Sequence, residues 1–182
     1  MQQKNKVHNN AIQIRVLDKI NNSKLQELSD LLIDCVEGGA SVNFMLPLSR
    51  TKAENFWHSI FSSVARCERV VIIAEDTTGT IIGSIQVVFA QPENQPHRAD
   101  VSKLLVHRKA RRRGVGAALL VAIERCALHA GKTLLVLDTA NSDAERLYIK
   151  YGWQYCGEIP NFALMPDGQP CTARIYFKHI HK

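Results

Sequence analysis

The sequence predicts a single mixed α/β domain. Three observations carry that prediction: β-branched runs of strand length, apolar stripes at helical spacing, and a strand, helix, strand passage across residues 99–138 that calls for parallel pairing. A chain of 182 residues can bury a sizeable core yet stays close to the length of one domain, so 1–182 is read as one unit with 1–10 as a flexible tail.

Taken in order, Ile12-Gln13-Ile14-Arg15-Val16-Leu17 alternates with period two and is the first strand. Leu25, Leu28, Leu31, Leu32 and Val36 then recur at helical spacing, with Asn22 or Ser23 as cap and Gly38-Gly39 as the stop. A second helix is expected from Thr51, three residues before Glu54 in capping-box spacing, with Ala53, Phe56, Trp57, Ile60, Phe61 and Val64 as its apolar stripe. Val70–Glu75 and Ile81–Phe89 read as a β-hairpin around Thr78-Gly79, and Ala99–Val106 as the next strand after a polar loop between Pro92 and Pro96. The third helix follows Gly114-Val115-Gly116, buries Leu119, Leu120, Ile123, Ala127 and Ala130, and ends at Gly131 before the strand Thr133–Asp138. A short helix over Ser142–Tyr151 and strands over Trp153–Ile159 and Ala173–Ile180 complete seven strands and four helices.

With 46% hydrophobic and 22% charged residues, the composition is that of a folded globular chain rather than a disordered one. The start has no apolar run of signal-peptide type and no stretch has membrane-spanning length, so a cytoplasmic protein without a membrane partner is expected. Five scattered cysteines show neither Cys-x-x-Cys nor zinc spacing, which predicts reduced thiols and no metal. The formal charge of +6 invites a nucleic-acid reading. Much of the excess, however, lies in one run, His107-Arg108-Lys109-Ala110-Arg111-Arg112-Arg113, that leads directly into glycines, and no recognition helix or aromatic platform accompanies it. A small polyanion suits it better.

Arg111-Arg112-Arg113-Gly114-Val115-Gly116-Ala117 follows a strand and opens a helix. Glycine allows close approach of the backbone, and the first N–H groups of a helix are free donors at the positive end of its dipole, so a pyrophosphate fits there. A dinucleotide fingerprint would need a third glycine where Leu119 stands, and a Walker loop would need Gly-Lys-Ser/Thr.

Arg111, Gly114 and Gly116 resemble the Arg/Gln-x-x-Gly-x-Gly/Ala motif of the GCN5-related N-acetyltransferase (GNAT) family. Downstream, Asn141-x-x-Ala144-x-x-Leu147-Tyr148-x-x-x-Gly152-Trp153 is similar to that family's second signature. Gly38-Gly39-Ala40-Ser41-Val42-x-Phe44-Met45, Lys103-Leu104-x-Val106, Leu137-Asp138-Thr139 and Pro166-Asp167-Gly168 extend the likeness to the tabtoxin-resistance type of acetyltransferase. The resemblance implies a mostly antiparallel mixed sheet of about seven strands, splayed near the fourth and fifth and flanked by about four helices. It implies acetyl-CoA as acyl donor, with pantetheine along Leu104, Leu105 and Val106 and pyrophosphate on N–H groups of Arg112 to Ala117, Arg111 to Arg113 adding charge and Asn141 joining the cofactor set.

Amine acetylation needs a neutral nucleophile, stabilisation of an oxyanion and a proton for the departing thiolate. By resemblance Tyr148 is the acid, and a phenol of ordinary pKa about 10 stays protonated at neutral pH. A strand N–H near Leu104 or Leu105 is the candidate oxyanion donor. For the base, Asp138 at the carboxyl end of its strand comes first; Asp100 and Ser102, on one side of theirs, are candidates for ordering a water, and His107 follows. Glu37, Ser41 and Asn43, in the connection between the first two helices, are the candidate acceptor contacts. The expected activity is acetyl transfer from acetyl-CoA to a primary amine of a small molecule, by resemblance an amino-acid-like toxin or antibiotic, carried out by a monomer or homodimer. The alternative is an acyl-CoA-binding sensor without catalysis.

Overall fold

The computed structural model describes residues 12–181, and the expected tail at 1–10 lies outside them. In chain order the elements are β1 (Gln13–Val16), α1 (Asn22–Glu37), α2 (Arg50–Ala65), β2 (Arg69–Glu75), β3 (Ile81–Val88), β4 (Arg98–Val106), α3 (Val115–His129), β5 (Leu134–Thr139), α4 (Ser142–Lys150), β6 (Gln154–Leu164) and β7 (Pro170–His179). They build one seven-stranded sheet in the order β1-β2-β3-β4-β5-β7-β6. Every neighbouring pair is antiparallel except β4 and β5, which the α3 crossover makes parallel.

Strand alternation sends opposite faces of the sheet into two cores. Ile72, Ala74, Ile85, Val87, Ala99 and Val101 face α3, where Leu119, Leu120 and Ile123 are fully buried. Val71, Ile73 and Ile81 face α1 and α2, and there Trp57 is fully buried with its indole N–H donating to the Leu28 carbonyl at 3.0 Å. Fully burying a side chain of this size contributes about 1.5–3 kcal/mol, so the two cores fix both faces of the sheet. Gly83 brings α3 close: a Cβ there would lie 2.8 Å from Val115 Cγ1 and 3.0 Å from the Leu105 carbonyl oxygen.

Several boundaries differ from expectation. Asn21 caps α1, its Oδ1 accepting from the Lys24 N–H at 2.9 Å, because the chain is still extended at that residue. Ser49 rather than Thr51 caps α2, accepting from Lys52 N–H at 3.3 Å just after the buried Leu48, so the Thr51 and Glu54 spacing lies inside the helix. β6 runs past Pro160 to Leu164, which is possible because β6 is an edge strand and a missing N–H costs no ladder bond there. The basic run also contains an unanticipated 3-10 turn, Arg108–Ala110, in which His107 Nδ1 accepts from Lys109 N–H at 3.2 Å.

Two irregularities in the sheet position the site. The β4 and β5 ladder ends at Asp100 opposite Val136, while β4 stays paired with β3 to Val106 and β5 with β7 to Thr139, so the two strands part. Within β4, Lys103 and Leu104 together face the single residue Ile85, a β-bulge, and Lys103 takes φ 54°.

Candidate active site

A cavity of about 370 Å³ occupies the gap between the parted strands. One wall is Val101 to Val106 of β4, the other Asp138 and Thr139 of β5, and the ends are closed by the start of α3 and by α4. Because β4 has no β5 partner beyond Asp100, the backbone groups turned to that side are left for a ligand.

At the α3 end the donors are backbone. Gly114 caps the helix in the left-handed region at φ 82° with no side-chain hydrogen bond, so no capping side chain occupies the first-turn N–H groups among the described residues. Gly116, whose Cβ would stand 3.3 Å from Leu147 Cδ2, lets α3 and α4 approach closely. The arginines divide their tasks. Arg111 turns its Nε back to the Val106 carbonyl at 3.3 Å, Arg112 bonds the Asp143 carboxylate of α4 at 3.2 and 3.3 Å, and Arg113 is not in the cavity wall. Asn141 lines the cavity while its Oδ1 caps α4, accepting from Asp143 and Ala144 N–H at 2.8 and 3.1 Å.

At the other end the groups are side chains. Tyr148 is 5% exposed, packs against Trp153 and Tyr176 with ring centroids 5.8 and 6.1 Å away, and lines the cavity. Burial, and then the Asp138 charge, push its phenol well above the ordinary value, so it holds its proton throughout the neutral range. Asp138 is exposed at the junction with a second cavity of about 380 Å³, which also takes Ser41 and Asn43 into its wall. That second space is closed by the connection between α1 and α2, tied to the β6 and β7 hairpin where Leu46 N–H donates to the Pro166 carbonyl at 2.9 Å and Ser41 Oγ to the Leu164 carbonyl at 3.2 Å.

Ser102, Leu104, Leu105, Val106, Gly114, Val115, Gly116 and Ala117 thus share one cavity with Asp138 and Tyr148. Glu37, Asp100 and His107 do not line it. Glu37 pairs with Arg108 at 3.4 Å, Asp100 is held by Arg98 and by Gln91 at 3.0 Å, and His107 Nε2 lies 3.6 Å from Asp34. Sequence reasoning missed the apolar wall of the second cavity, Phe44, Met45, Phe162 and Leu164, as well as Lys103 as a site residue. A lysine inside an otherwise apolar strand was the available signal for Lys103.

The fold is GNAT-like, and residues 67–155 match the family model described as an acetyltransferase (GNAT) domain. Among solved structures the chain is similar to an N-acetyltransferase from Staphylococcus aureus Mu50, at 17% identity over 93% of this chain and 98% of that one, with a TM-score of 0.76. It is similar also to a GCN5-related N-acetyltransferase from Kribbella flavida, at 21% identity, 93% and 98% coverage and a TM-score of 0.75. A third likeness is to yncA of Salmonella typhimurium, whose structure holds its cofactor acetyl-CoA, at 15% identity, 95% and 96% coverage and a TM-score of 0.76.

Proposed function

We propose that the protein transfers an acetyl group from acetyl-CoA to the primary amine of a small molecule. The observation that carries this reading is the gap between β4 and β5, which joins a helix N-terminus without a side-chain cap to Tyr148 and Asp138 in one cavity. The gap fits the donor: the N–H groups of the first turn of α3 would hold the pyrophosphate, and the unpaired side of Leu104 to Val106 the pantetheine amides. Acetyl-CoA supplies the activated acyl group. Asp138 takes the proton of the incoming amine, a β4 N–H near Leu104 or Leu105 stabilises the negative charge that develops on the thioester oxygen, and Tyr148 protonates the departing thiolate.

The test is a melting-temperature shift with acetyl-CoA, followed by thiol release against a panel of amines. A ligand that binds only the folded state raises the melting temperature by mass action. Ala117→Asp should abolish that shift. An acidic residue in a helix's first turn favours the helix dipole, so loss of the shift cannot be assigned to a damaged helix and reports repulsion of the pyrophosphate. An undiminished shift in the variant removes the proposed donor site; binding without turnover of any amine leaves an acyl-CoA sensor.

A further inference from the structure

The charges on the cavity wall sort into those already used and those left over. Arg111 bonds the Val106 carbonyl, and Arg112 pairs with Asp143. Among the described residues, Lys103 and Asp138 are the two charged groups of the wall without an ion pair or hydrogen bond, and they stand on opposite sides of the gap. Lys103 is largely desolvated, the Asp138 charge acts on it only across the gap and without an ion pair, and its φ of 54° is a strained conformation for a residue other than glycine.

The surroundings of Lys103 compound the cost. Arg69, Gln86 and Ser102 lie on the same face of β2, β3 and β4, since Gln86 pairs with both Val71 and Ser102 and Arg69 pairs with Val88. Arg69 donates to Gln86 Oε1, yet its buried Nε has no partner, and neither has Nε2 of Gln86, a side chain 0% exposed. Buried donors are almost always satisfied in native proteins. Arg69 and Gln86 thus bring two unsatisfied donors next to the lysine, and the carboxylates whose charge reaches them, Glu68 at Arg69 and Asp138 at Lys103, form no ion pair with either cation among the described residues.

We propose that Lys103, with Arg69 behind it, is an anion subsite that binds the carboxylate of the acceptor, whose amine lies towards Asp138. The acceptor is then a zwitterion of the amino-acid class. A simple amine would satisfy Asp138 but meet an unmatched cation, and a polyamine would meet it more strongly. The walls of the adjoining cavity, Phe44, Met45, Phe162 and Leu164, suit an apolar side chain. This rests on the acetyl-transfer reading above and deepens it.

The experiment compares each common amino acid with its amide and its decarboxylated amine, for instance leucine, leucinamide and 3-methylbutylamine, in wild type, Lys103→Gln and Lys103→Arg. The α-amine of an amide is less basic and so more often neutral, which biases the chemistry against the expected result. A hydrogen-bonded charge contact implies that the preferred acid exceeds its amide by roughly 10–100-fold in kcat/KM. Lys103→Gln should bring the two within about threefold while the acetyl-CoA shift stays unchanged, and Lys103→Arg should restore part of the preference. Equal use of acids and amides by wild type, or an equal fall for all three forms in Lys103→Gln, overturns the subsite. If no amine is turned over, the transferase reading fails separately. Calorimetry of N-acetylleucine against N-acetylleucinamide on the CoA-loaded protein then decides the subsite by itself: binding of the acid only, lost in Lys103→Gln, supports it, and no discrimination overturns it.

Discussion

The two ends of the cleft are built from different materials. The α3 end offers backbone donors, and its side chains are largely turned back onto the chain, as Arg111 is onto Val106 and Asn141 onto its own helix. The opposite end, proposed for the acceptor, is made of side chains gathered from segments far apart in sequence: Asn43 from the α1 to α2 connection, Lys103 from β4, Asp138 from β5 and Phe162 from β6. A backbone site tolerates almost any side chain but demands glycine where φ is positive or helices touch. A side-chain site can change its ligand by single substitutions while the sheet stays as it is. The fold therefore constrains the donor end far more tightly than the acceptor end.

The comparison is broken most sharply at Tyr148, proposed above as the acid rather than as a binding group of either end. Tyr148→Phe keeps the ring against Trp153 and Tyr176 and removes only the proton, so turnover should fall about 10²–10⁴-fold with acetyl-CoA affinity and melting temperature nearly unchanged. A fall in cofactor affinity that matches the loss in rate would move the hydroxyl to the donor end instead.

Glu75 should change stability without touching either end. The Arg15 guanidinium, outweighing the cost of burial and helped by Lys24, holds the Glu75 carboxyl down at about 2 against an ordinary 4.5, clipping β1 and α1 to β2. A depressed carboxyl contributes stability that is complete above its unfolded value and lost as pH falls through the folded one, here between 4.5 and about 2. Because Arg15 is itself half-exposed, the contribution is on the order of 2 kcal/mol. Urea unfolding of Glu75→Gln should show that deficit at neutral pH and little of it at the acid end of the window, while KM for both substrates stays at the wild-type value. The smallest effect belongs to Glu37. Its partner is Arg108, outside the cavity, so Glu37→Gln should alter the acceptor KM by no more than about twofold, the range of ordinary surface changes.

The same contrast explains what could be read in the sequence. Seven strands, four helices and the parallel step followed from periodicity, and the loop that opens α3 at the cavity was legible through Gly114 and Gly116 because close backbone approach has a residue signature. Acceptor residues have none until the sheet assembles them. Asp100, a candidate for ordering a water, and Glu37, a candidate acceptor contact, stood in the sequence beside Asp138, the first candidate base, and only their partners, Arg98 and Arg108, show that they are tied off. The strand expected over Trp153–Ile159 runs on through Pro160 because it lies at the sheet edge, which nothing local reveals.

The bulge at Lys103 also changes the phase of β4. Before it, Ala99 and Val101 belong to the α3 core; after it, Leu105 lies in the opposite core and Leu104 and Val106 pack on the α3 side. β4 is in effect two half-strands written out of step, with the change of frame falling where the sheet parts. Deleting the one extra residue between Ser102 and Leu105 would restore plain alternation with Leu104 and Leu105 still in their present cores, and would remove only the bulge. What the extra residue sets is therefore the bulge itself, and with it the backbone turned out where the sheet parts.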